Sequence, residues 1–205
     1  MKTRFFTFLF FISIIGTTFS QIVVDKGIYK VNFSNTLHVP KYVSYYLYKG
    51  GGSCSRDKFY FKNDEPTLSC ACDSDYKGKK GYEKGHLANA EDFAYDCKKD
   101  ELTFRYYNCF PQTVSLNHGV WKTKEELIRK WSETDKLYII CGGYFENRKM
   151  GRIAIPSYCW KVVQSVSTKK ILFCGWFSNT TAATLEEIST EELNKRLKSK
   201  VVLLK

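Results

Sequence analysis

Apolar and polar positions alternate in part over residues 41–49, and four further short stretches are apolar and aromatic; both patterns predict β-strands. The stretches are rich in Tyr, Val, Ile and Phe and are bounded by Gly, Pro or charged residues. They span residues 41–49, 102–110, 136–145, 154–163 and 169–177. Residues 53–82 hold turn formers and charges with few periodic apolar positions, so this segment is predicted to be a loop.

A helical period replaces the alternation in two places. The clearer helix is predicted from about Val114 to Trp131, where apolar residues recur at spacings of four, seven and four. Its predicted buried face consists of Leu116, Val120, Leu127 and Trp131. A second helix is predicted over Thr190–Lys198, with Ser189 and Glu192 as a capping box. Hairpin-like strands with isolated helices predict an α+β fold with a mainly antiparallel central sheet flanked by helices.

The first twenty residues have a different composition from the rest. A charged start, Met1-Lys2-Thr3-Arg4, precedes the apolar run FFTFLFFISIIG and the small polar residues TTFS. This order predicts a secretory signal over residues 1–20, cleaved near Ser20. A membrane-spanning helix needs about 20 apolar residues, so no membrane anchor is expected. Residues 21–205 show no repeat or linker and are predicted to form one exported domain, extracellular or periplasmic.

The charge balance narrows the class of partner. The chain has 32 basic and 21 acidic residues, a net charge of +11. Residues 1–20 contain two basic residues and no acidic one, which leaves +9 for residues 21–205. Clustered Lys and Arg attract phosphates, so this excess favours a polyanionic partner such as nucleic acid or an anionic surface. Packing explains most of the aromatic content, and base stacking on Tyr106, Tyr107 or Tyr144 is the alternative.

Eight cysteines follow the predicted signal, and an even number in an exported chain predicts disulfides. They stand at positions 54, 70, 72, 97, 109, 141, 159 and 174. The expected hairpin over residues 154–177 sets Cys159 opposite Cys174, so that bridge is predicted. Cys70 and Cys72 are too close in sequence to pair with each other and are expected to reach separate partners, with zinc binding beside a histidine as the alternative. Asn32-Phe-Ser and Asn179-Thr-Thr fit the N-glycosylation pattern.

One helix face and one histidine are candidates for chemistry. Asn117, Trp121 and Glu125 stand at i, i+4 and i+8 of the predicted helix and therefore share a face. An amide and a carboxylate about two turns apart could both address one hydrated cation such as Mg²⁺. The simpler alternative is a solvated helix face. His86 lies in the stretch GYEKGHLANAEDF, residues 81–93, where Gly85 is expected to let the chain turn.

Two linked motifs resemble the DNA/RNA non-specific endonucleases, whose fold is called ββα-metal or His-Me finger. The first motif, around EKGHLANAEDF, is matched by Glu83, Gly85, His86, Leu87, Ala88, Asp92 and Phe93. The second, within NCFPQTVSLNHGVWKTKEE, is matched by Asn108, Pro111, Gln112, Leu116, Asn117, Gly119, Trp121 and Glu125. Weaker similarity extends from about Tyr42 to Leu193. Lys84 and Asn89 stand where the family most often has Arg and Pro.

The resemblance implies a role for each matched position. His86 is expected to be the general base, and Asn117 the direct ligand of a single Mg²⁺, for which Mn²⁺ could substitute. Glu125 is expected to hold the water shell of the metal.

It also implies supporting roles around that centre. Asn108 would orient the histidine or the scissile phosphate, and Lys84 would lie beside the phosphate. Arg56 is the nearest candidate for the arginine that contacts phosphate.

The resemblance implies a metal-dependent enzyme that hydrolyses DNA and RNA and leaves 5′-phosphate and 3′-hydroxyl ends, and the predicted signal implies that it is secreted. The alternative from another class is a secreted protein that binds nucleic acid or an anionic surface without catalysis. His118 is expected to lie on the surface, and His38 in a connecting loop.

Overall fold

A seven-stranded antiparallel sheet is the centre of the fold. The computed structural model describes residues 22–205, so the predicted signal at residues 1–20 lies outside the described part. The strands are β1 (Ile22–Asp25), β2 (Tyr29–Ser34), β3 (Val39–Leu47), β4 (Tyr82–His86), β5 (Cys109–Thr113), β6 (Leu137–Met150), β7 (Ile153–Ser165), β8 (Ile171–Ser178) and β9 (Leu185–Glu187). The large sheet has the order β1-β2-β3-β6-β7-β8-β9, and β4 and β5 form a separate two-stranded ribbon.

Helices and turns connect and cover the strands. The helices are α1 (Asp73–Tyr76), α2 (Cys97–Thr103), α3 (Trp121–Trp131) and α4 (Thr190–Leu197), with 3-10 turns at Ala90–Phe93 and Tyr106–Asn108. Every pairing between the strands is antiparallel. The prediction of an α+β fold with a mainly antiparallel central sheet flanked by helices is therefore confirmed. No helix among residues 22–205 is long and apolar enough to cross a bilayer.

The two faces of the large sheet have different coverings. One face joins the main core, which includes Val43, Tyr45 and Ile139 and extends to the β4–β5 ribbon and α3. The opposite face carries a second apolar cluster, which includes Ile140 and Trp160 and packs against α4 and the segment after it. Successive residues of a strand point to opposite faces, so one strand serves both clusters.

The predicted strand over residues 102–110 is wrong. Its first residues end α2, a 3-10 turn follows at Tyr106–Asn108, and β5 begins only at Cys109. The Asp96 carboxylate caps α2 by accepting hydrogen bonds from the amides of Lys98 and Lys99. This capping, together with the burial of Asp100 and Thr103, overrides the strand-like composition of the segment.

The predicted single helix from Val114 to Trp131 is interrupted. A π-helical turn covers Leu116–Val120, with Gly119 at φ −100° and ψ −118°, and α3 begins at Trp121. The buried face of α3 holds Trp121, Glu125 and Ile128. Leu127, predicted to be buried, is 36% exposed. A π turn adds a residue to one turn of helix, which rotates every later side chain by about 100°.

The disulfide prediction fails in its detail. Among the described residues, Cys54 and Cys97 form the one disulfide, and the other six cysteines are free thiols. Cys159 lies opposite Phe177, whereas Cys174 lies opposite Val162. The offset from the predicted register is three residues, an odd number, so the two sulfurs face opposite sides of the sheet. The zinc alternative also fails, because residues 22–205 contain no metal-binding cluster of three His, Cys, Asp or Glu side chains.

Both predicted glycosylation sites are inaccessible. Asn32 is 2% exposed and Asn179 is fully buried. The Asn179 amide donates to the carbonyls of Pro111 and Pro156 and accepts from the Thr113 amide, which joins β5 to β7. At the other predicted helix, Ser189 caps α4 as expected by accepting from the Glu192 amide. The Glu192 carboxylate pairs with Arg196 and does not complete a capping box.

Candidate active site

The β4–β5 ribbon, the π turn and α3 together form a strand–strand–helix unit beside a cleft of about 560 Å³. His86 is the last residue of β4, and Asn117 lies in the π turn. The lining of the cleft includes Arg56, His86, Asn117, Glu125 and Arg129. Four of the predicted site residues therefore meet in one cleft, although they are distant in sequence.

Gly85 is required for close packing, not for a turn. It lies inside β4, opposite Phe110, and its φ is not in the left-handed region. A Cβ at this position would lie 1.9 Å from the Gln112 Oε1 atom. The expectation that Gly85 turns the chain is therefore wrong, and the glycine instead makes room for the buried Gln112 side chain beneath the histidine strand.

His86 is held in an aromatic setting. Its ring centroid lies 4.8 Å from that of Phe61 and 4.8 Å from that of Phe104. Its Nε2 atom is buried and has no hydrogen-bond partner within the described chain. Burial, and then the positive charges of Arg56 and Lys84, lower the pKa of His86 to about 3. The imidazole is therefore neutral at pH 7 and can accept a proton.

Asn108 fixes the backbone that follows His86. The buried side chain donates to the carbonyls of Ala88 at 3.0 Å and Thr103 at 2.9 Å, and accepts from the Ala88 amide at 2.9 Å. The Leu87 amide donates to the Asn108 carbonyl. Asn108 is 0% exposed, so it cannot reach a phosphate. Of its two expected roles, the geometry supports the orientation of the histidine.

Asn117 is oriented by an acidic neighbour. Its Nδ2 atom donates to Glu83 Oε2 at 2.8 Å, and the same oxygen lies 2.7 Å from His118 Nε2. The Asn117 Oδ1 atom accepts no hydrogen bond from residues 22–205 and remains available as a ligand. His118 is 64% exposed in its side chain, as expected for a surface residue.

Glu125 is buried beside a lysine that sequence reasoning missed. Its Oε1 atom lies 3.1 Å from Lys161 Nζ on β7, and that ammonium lies 4.0 Å from the centre of the Trp121 ring. Burial raises the pKa of Glu125, and the charge of Lys161 opposes that shift. The available signal was a lysine within the apolar run CWKVV. A charged residue in a doubly covered strand is rarely buried without a partner.

A second buried ion pair lies next to the first and was also missed. Asp92, 2% exposed, accepts from Arg129 and, at 2.8 Å, from the Tyr45 hydroxyl. Burial raises the pKa of Asp92, and Arg129 opposes the shift. Arg129 lines the cleft from α3, one turn after Glu125. Two buried ion pairs therefore lie side by side, and each supplies one residue, Glu125 or Arg129, to the lining of the cleft.

The two basic residues predicted to contact phosphate have different positions. Arg56 lines the cleft and donates to Asp100 at 2.8 Å and to Glu91 at 2.8 Å. Lys84 is not part of the cleft lining, because its ammonium pairs with Asp73 and lies 5.0 Å from the centre of the Phe61 ring. Lys84 therefore influences His86 through its charge and not through a place in the cleft.

The donor set fits a hard divalent cation that keeps most of its water. The described residues offer no cluster of three His, Cys, Asp or Glu side chains, so a cage of protein ligands is absent from residues 22–205. The free amide oxygen of Asn117 and the Glu125 carboxylate are oxygen donors in the same cleft. Mg²⁺ is commonly bound through one or two such groups with several waters retained.

Comparison with known proteins agrees with this geometry. The family model described as DNA/RNA non-specific endonuclease matches residues 10–201. A nuclease from Nostoc sp. is 26% identical over 193 residues, which is 87% of this chain and 69% of that protein. Bovine mitochondrial endonuclease G is 26% identical over 130 residues, which is 56% of this chain and 43% of that protein. Human mitochondrial nuclease EXOG is 27% identical over 165 residues, or 69% of this chain.

The mitochondrial relatives are longer proteins. The match spans less than half the length of bovine endonuclease G, at 43%, and of human EXOG, at 44%. A chain in the crystal structure of the EndoG/EndoGI complex shares the fold with a TM-score of 0.72 at 21% identity. That match covers 86% of this chain and 83% of the other. Because the family model covers nearly the whole described chain, this protein belongs to the DNA/RNA non-specific endonuclease family, whose members hydrolyse nucleic acids.

Proposed function

We propose that the chain is an exported endonuclease that requires a divalent cation, with Mg²⁺ preferred, and cuts both DNA and RNA without base preference. The observation that carries the proposal is the meeting of His86, Asn117 and Glu125 in one cleft, which Arg56 and Arg129 also line. A neutral base, an oxygen donor set and two cations are the groups that phosphodiester hydrolysis needs.

His86 is the proposed general base. Its lowered pKa keeps it neutral over the whole physiological range, and its ring lines the cleft where a water would attack. Since Nε2 is sealed among aromatic rings, Nδ1 is the nitrogen that would take the proton. Asn108 holds the backbone after His86 and so fixes where this nitrogen points.

Asn117 and Glu125 are the residues that would hold the cation, Asn117 directly and Glu125 through water. Glu83 engages the amide nitrogen of Asn117 and so leaves its oxygen for the ion. When bound, the cation supplies positive charge that stabilises the phosphoryl and leaving oxygens. Lys161 keeps the buried Glu125 carboxylate compensated and in place.

Arg56 and Arg129 would position the phosphate. Both are partly accessible from the cleft, and both are held by carboxylates, which fixes their planes. Contacts of this kind address the sugar–phosphate backbone, which DNA and RNA share and which carries no base information. Cleavage of both polymers with little sequence preference follows from such contacts.

Export is part of the proposal. It is supported by the signal-like composition of residues 1–20 and by the Cys54–Cys97 disulfide, which is typical of an oxidising compartment. Expression of the full chain in a secreting cell checks it. The protein in the medium should begin near Gln21 by mass, whereas an intact Met1 on retained protein would contradict export.

Digestion of supercoiled plasmid and of single-stranded RNA tests the activity. We expect purified protein to cut both in Mg²⁺ or Mn²⁺ and neither in EDTA, and we expect His86→Ala and Asn117→Ala to lose the activity. His38→Asn is the matched control, because His38 lies outside the cleft at φ 60°, a conformation that Asn tolerates. If folded protein binds DNA but cuts neither polymer with any divalent metal, it is a nucleic-acid-binding protein without catalysis.

A further inference from the structure

A groove of about 610 Å³ lies on the sheet face opposite the catalytic cleft. It runs between β2, β3, β6 and β7 on one side and the segment after α4 on the other. The face is set by strand alternation: Trp160 lines the groove, whereas the adjacent Lys161 points to the cleft side and pairs with Glu125. Its volume is within the range of ligand-binding pockets.

Aromatic rings form the walls of this groove. Tyr42 and Trp160 are in ring contact, with centroids 6.4 Å apart, and Tyr144 lines the same groove. Tyr144 continues into a ring cluster through Tyr158 and Trp176. Flat aromatic surfaces beside open space are the platforms on which nucleobases stack.

Two buried N–H donors in the groove lining lack acceptors. The Asn32 Nδ2 and Trp160 Nε1 atoms form no hydrogen bond with any described residue, and their side chains are 2% and 3% exposed by residue. Buried donors are nearly always paired in native proteins. A nucleobase that enters the groove and displaces the side-chain atoms covering these donors offers carbonyl oxygens and ring nitrogens as acceptors.

The charges of the groove suit a phosphate. Lys41 and Lys200 are exposed residues of its lining, and the lining contains no Asp or Glu. The half-buried rings of Tyr42 and Tyr144, the N–H donors and two lysines that pair with no acid among residues 22–205 together match the base and the phosphate of a nucleotide.

We propose that this groove is a second nucleic-acid site, which binds a nucleotide unit of a single strand while the cleft cuts elsewhere on the polymer. Only the choice of polymer rests on the proposed function. Binding at the groove is therefore measured without cleavage. A failure of the groove site and a failure of the proposed endonuclease activity are seen in different experiments.

The test uses the His86→Ala protein in EDTA, labelled with ¹⁵N in its Trp indoles and titrated with a single-stranded oligothymidylate of about ten nucleotides. Loss of one signal in Trp160→Phe identifies the Trp160 indole. We expect that signal to shift on titration as Nε1 gains an acceptor. If it stays unmoved while the oligonucleotide binds to saturation, the groove site is wrong.

Charge variants give an independent measurement that does not disturb the core. Lys41→Glu/Lys200→Glu should weaken oligonucleotide binding about tenfold or more and lower the salt slope by about 1.4, or 0.7 per phosphate contact. Lys170→Glu/Lys205→Glu changes the net charge equally at exposed positions outside the groove. An equal loss in this control would assign the effect to general charge attraction and overturn the proposal.

Discussion

At the scale of the residue, the site depends on how closely side chains approach the strand that carries His86. Gly85 has no strained φ, yet any side chain at this position would overlap the Gln112 side chain, so only a glycine lets the strand lie this close to Gln112. Asn108 uses its whole side-chain amide on backbone groups, bonding the amide and carbonyl of Ala88, which follow His86, and the carbonyl of Thr103. These two residues match the family motif through packing and positioning, whereas the neighbouring His86 is the proposed general base.

Gly85→Ala tests this close approach. The new Cβ would overlap the Gln112 side chain, so we expect a loss of about 1–3 kcal/mol in the free energy of unfolding. Displacing His86 should also slow cleavage by about a hundredfold, since misplacement near 1 Å can cost that much. Denaturant unfolding and plasmid cleavage measure the two effects.

The control for Gly85→Ala is a double-mutant cycle. In a Gln112→Ala background the overlap is absent, so the added cost of Gly85→Ala in unfolding free energy should fall below about 1 kcal/mol. An unchanged cost would show that the glycine is required by the backbone and not by Gln112.

The lowered pKa of His86 predicts a dependence of stability on pH. The folded value is about 3, and the unfolded value is near 6.5, so the unfolded chain binds a proton between these values that the folded chain does not. Stability from this group is therefore complete above pH 6.5 and is lost as pH falls toward 3. The contribution of His86 to the slope of unfolding free energy against pH is at most about 1.4 kcal/mol per pH unit.

Urea unfolding in EDTA across pH 4–7 measures this slope. His86→Phe keeps a ring between Phe61 and Phe104 and should flatten the dependence, while His38→Asn should leave it as in the wild type. If the slopes of wild type and His86→Phe coincide, the histidine is not held neutral by its surroundings.

At the scale of the element, the site is completed where α3 meets β7. The side of α3 that faces the sheet carries Glu125 between Trp121 and Ile128, and β7 supplies Lys161 beneath it. The Lys161 side chain is 1% exposed and the Glu125 side chain 8%, so neither charge is well solvated. The helix can therefore bury an acid on its core face only because the strand provides the cation.

Lys161→Met tests this pairing. Removing one partner leaves a buried carboxylate uncompensated, and we expect a loss of about 3–5 kcal/mol in unfolding free energy. Lys161→Arg should retain more of the stability because it keeps the charge. Adding Glu125→Gln to Lys161→Met should recover most of the stability but not the cleavage activity.

Thermal or denaturant unfolding of the wild type, Lys161→Met, Glu125→Gln and the double variant gives the coupling energy between the two side chains. Additive losses would contradict the pairing, because two residues that interact must show a coupling. Cleavage measured on the same proteins separates the role of the pair in stability from the role of Glu125 in activity. Glu125→Gln should restore the stability that Lys161→Met loses, but it should not restore cleavage.

Sequence patterns predicted those features of the fold and the site that depend on residues close together in the chain. The class of fold, four of the nine strands of the described chain, the cap of α4 by Ser189 and the selection of His86, Asn117 and Glu125 all follow from spacing or motif. Lys161 did not, because its contact with Glu125 joins positions 36 residues apart and depends on how β7 lies under α3. The phase of α3 was missed because a π turn leaves no mark in apolar spacing.

At the scale of the whole molecule, one disulfide cross-links the mostly loop segment that forms one wall of the cleft. Cys54 precedes Arg56 by two residues, and Cys97 begins α2, with a sequence separation of 43 between the two cysteines. The enclosed segment includes Phe61 and His86, and none of its residues belongs to a strand of the large sheet. The regular sheet thus supports one wall of the cleft, and a cross-linked loop supports the other.

Cys54→Ser/Cys97→Ser should therefore loosen one wall of the cleft while the sheet stays intact. Removing a link across a loop of this size should cost about 2–4 kcal/mol in unfolding free energy. Because Arg56 follows Cys54 closely, we also expect the Michaelis constant for nucleic acid to rise more than the turnover number falls. Reductant should bring the wild type to the same state, since the other six cysteines are already thiols. In the double variant, reductant should change neither stability nor activity; any further loss there would mean that additional disulfides form and that the single-bridge arrangement is wrong.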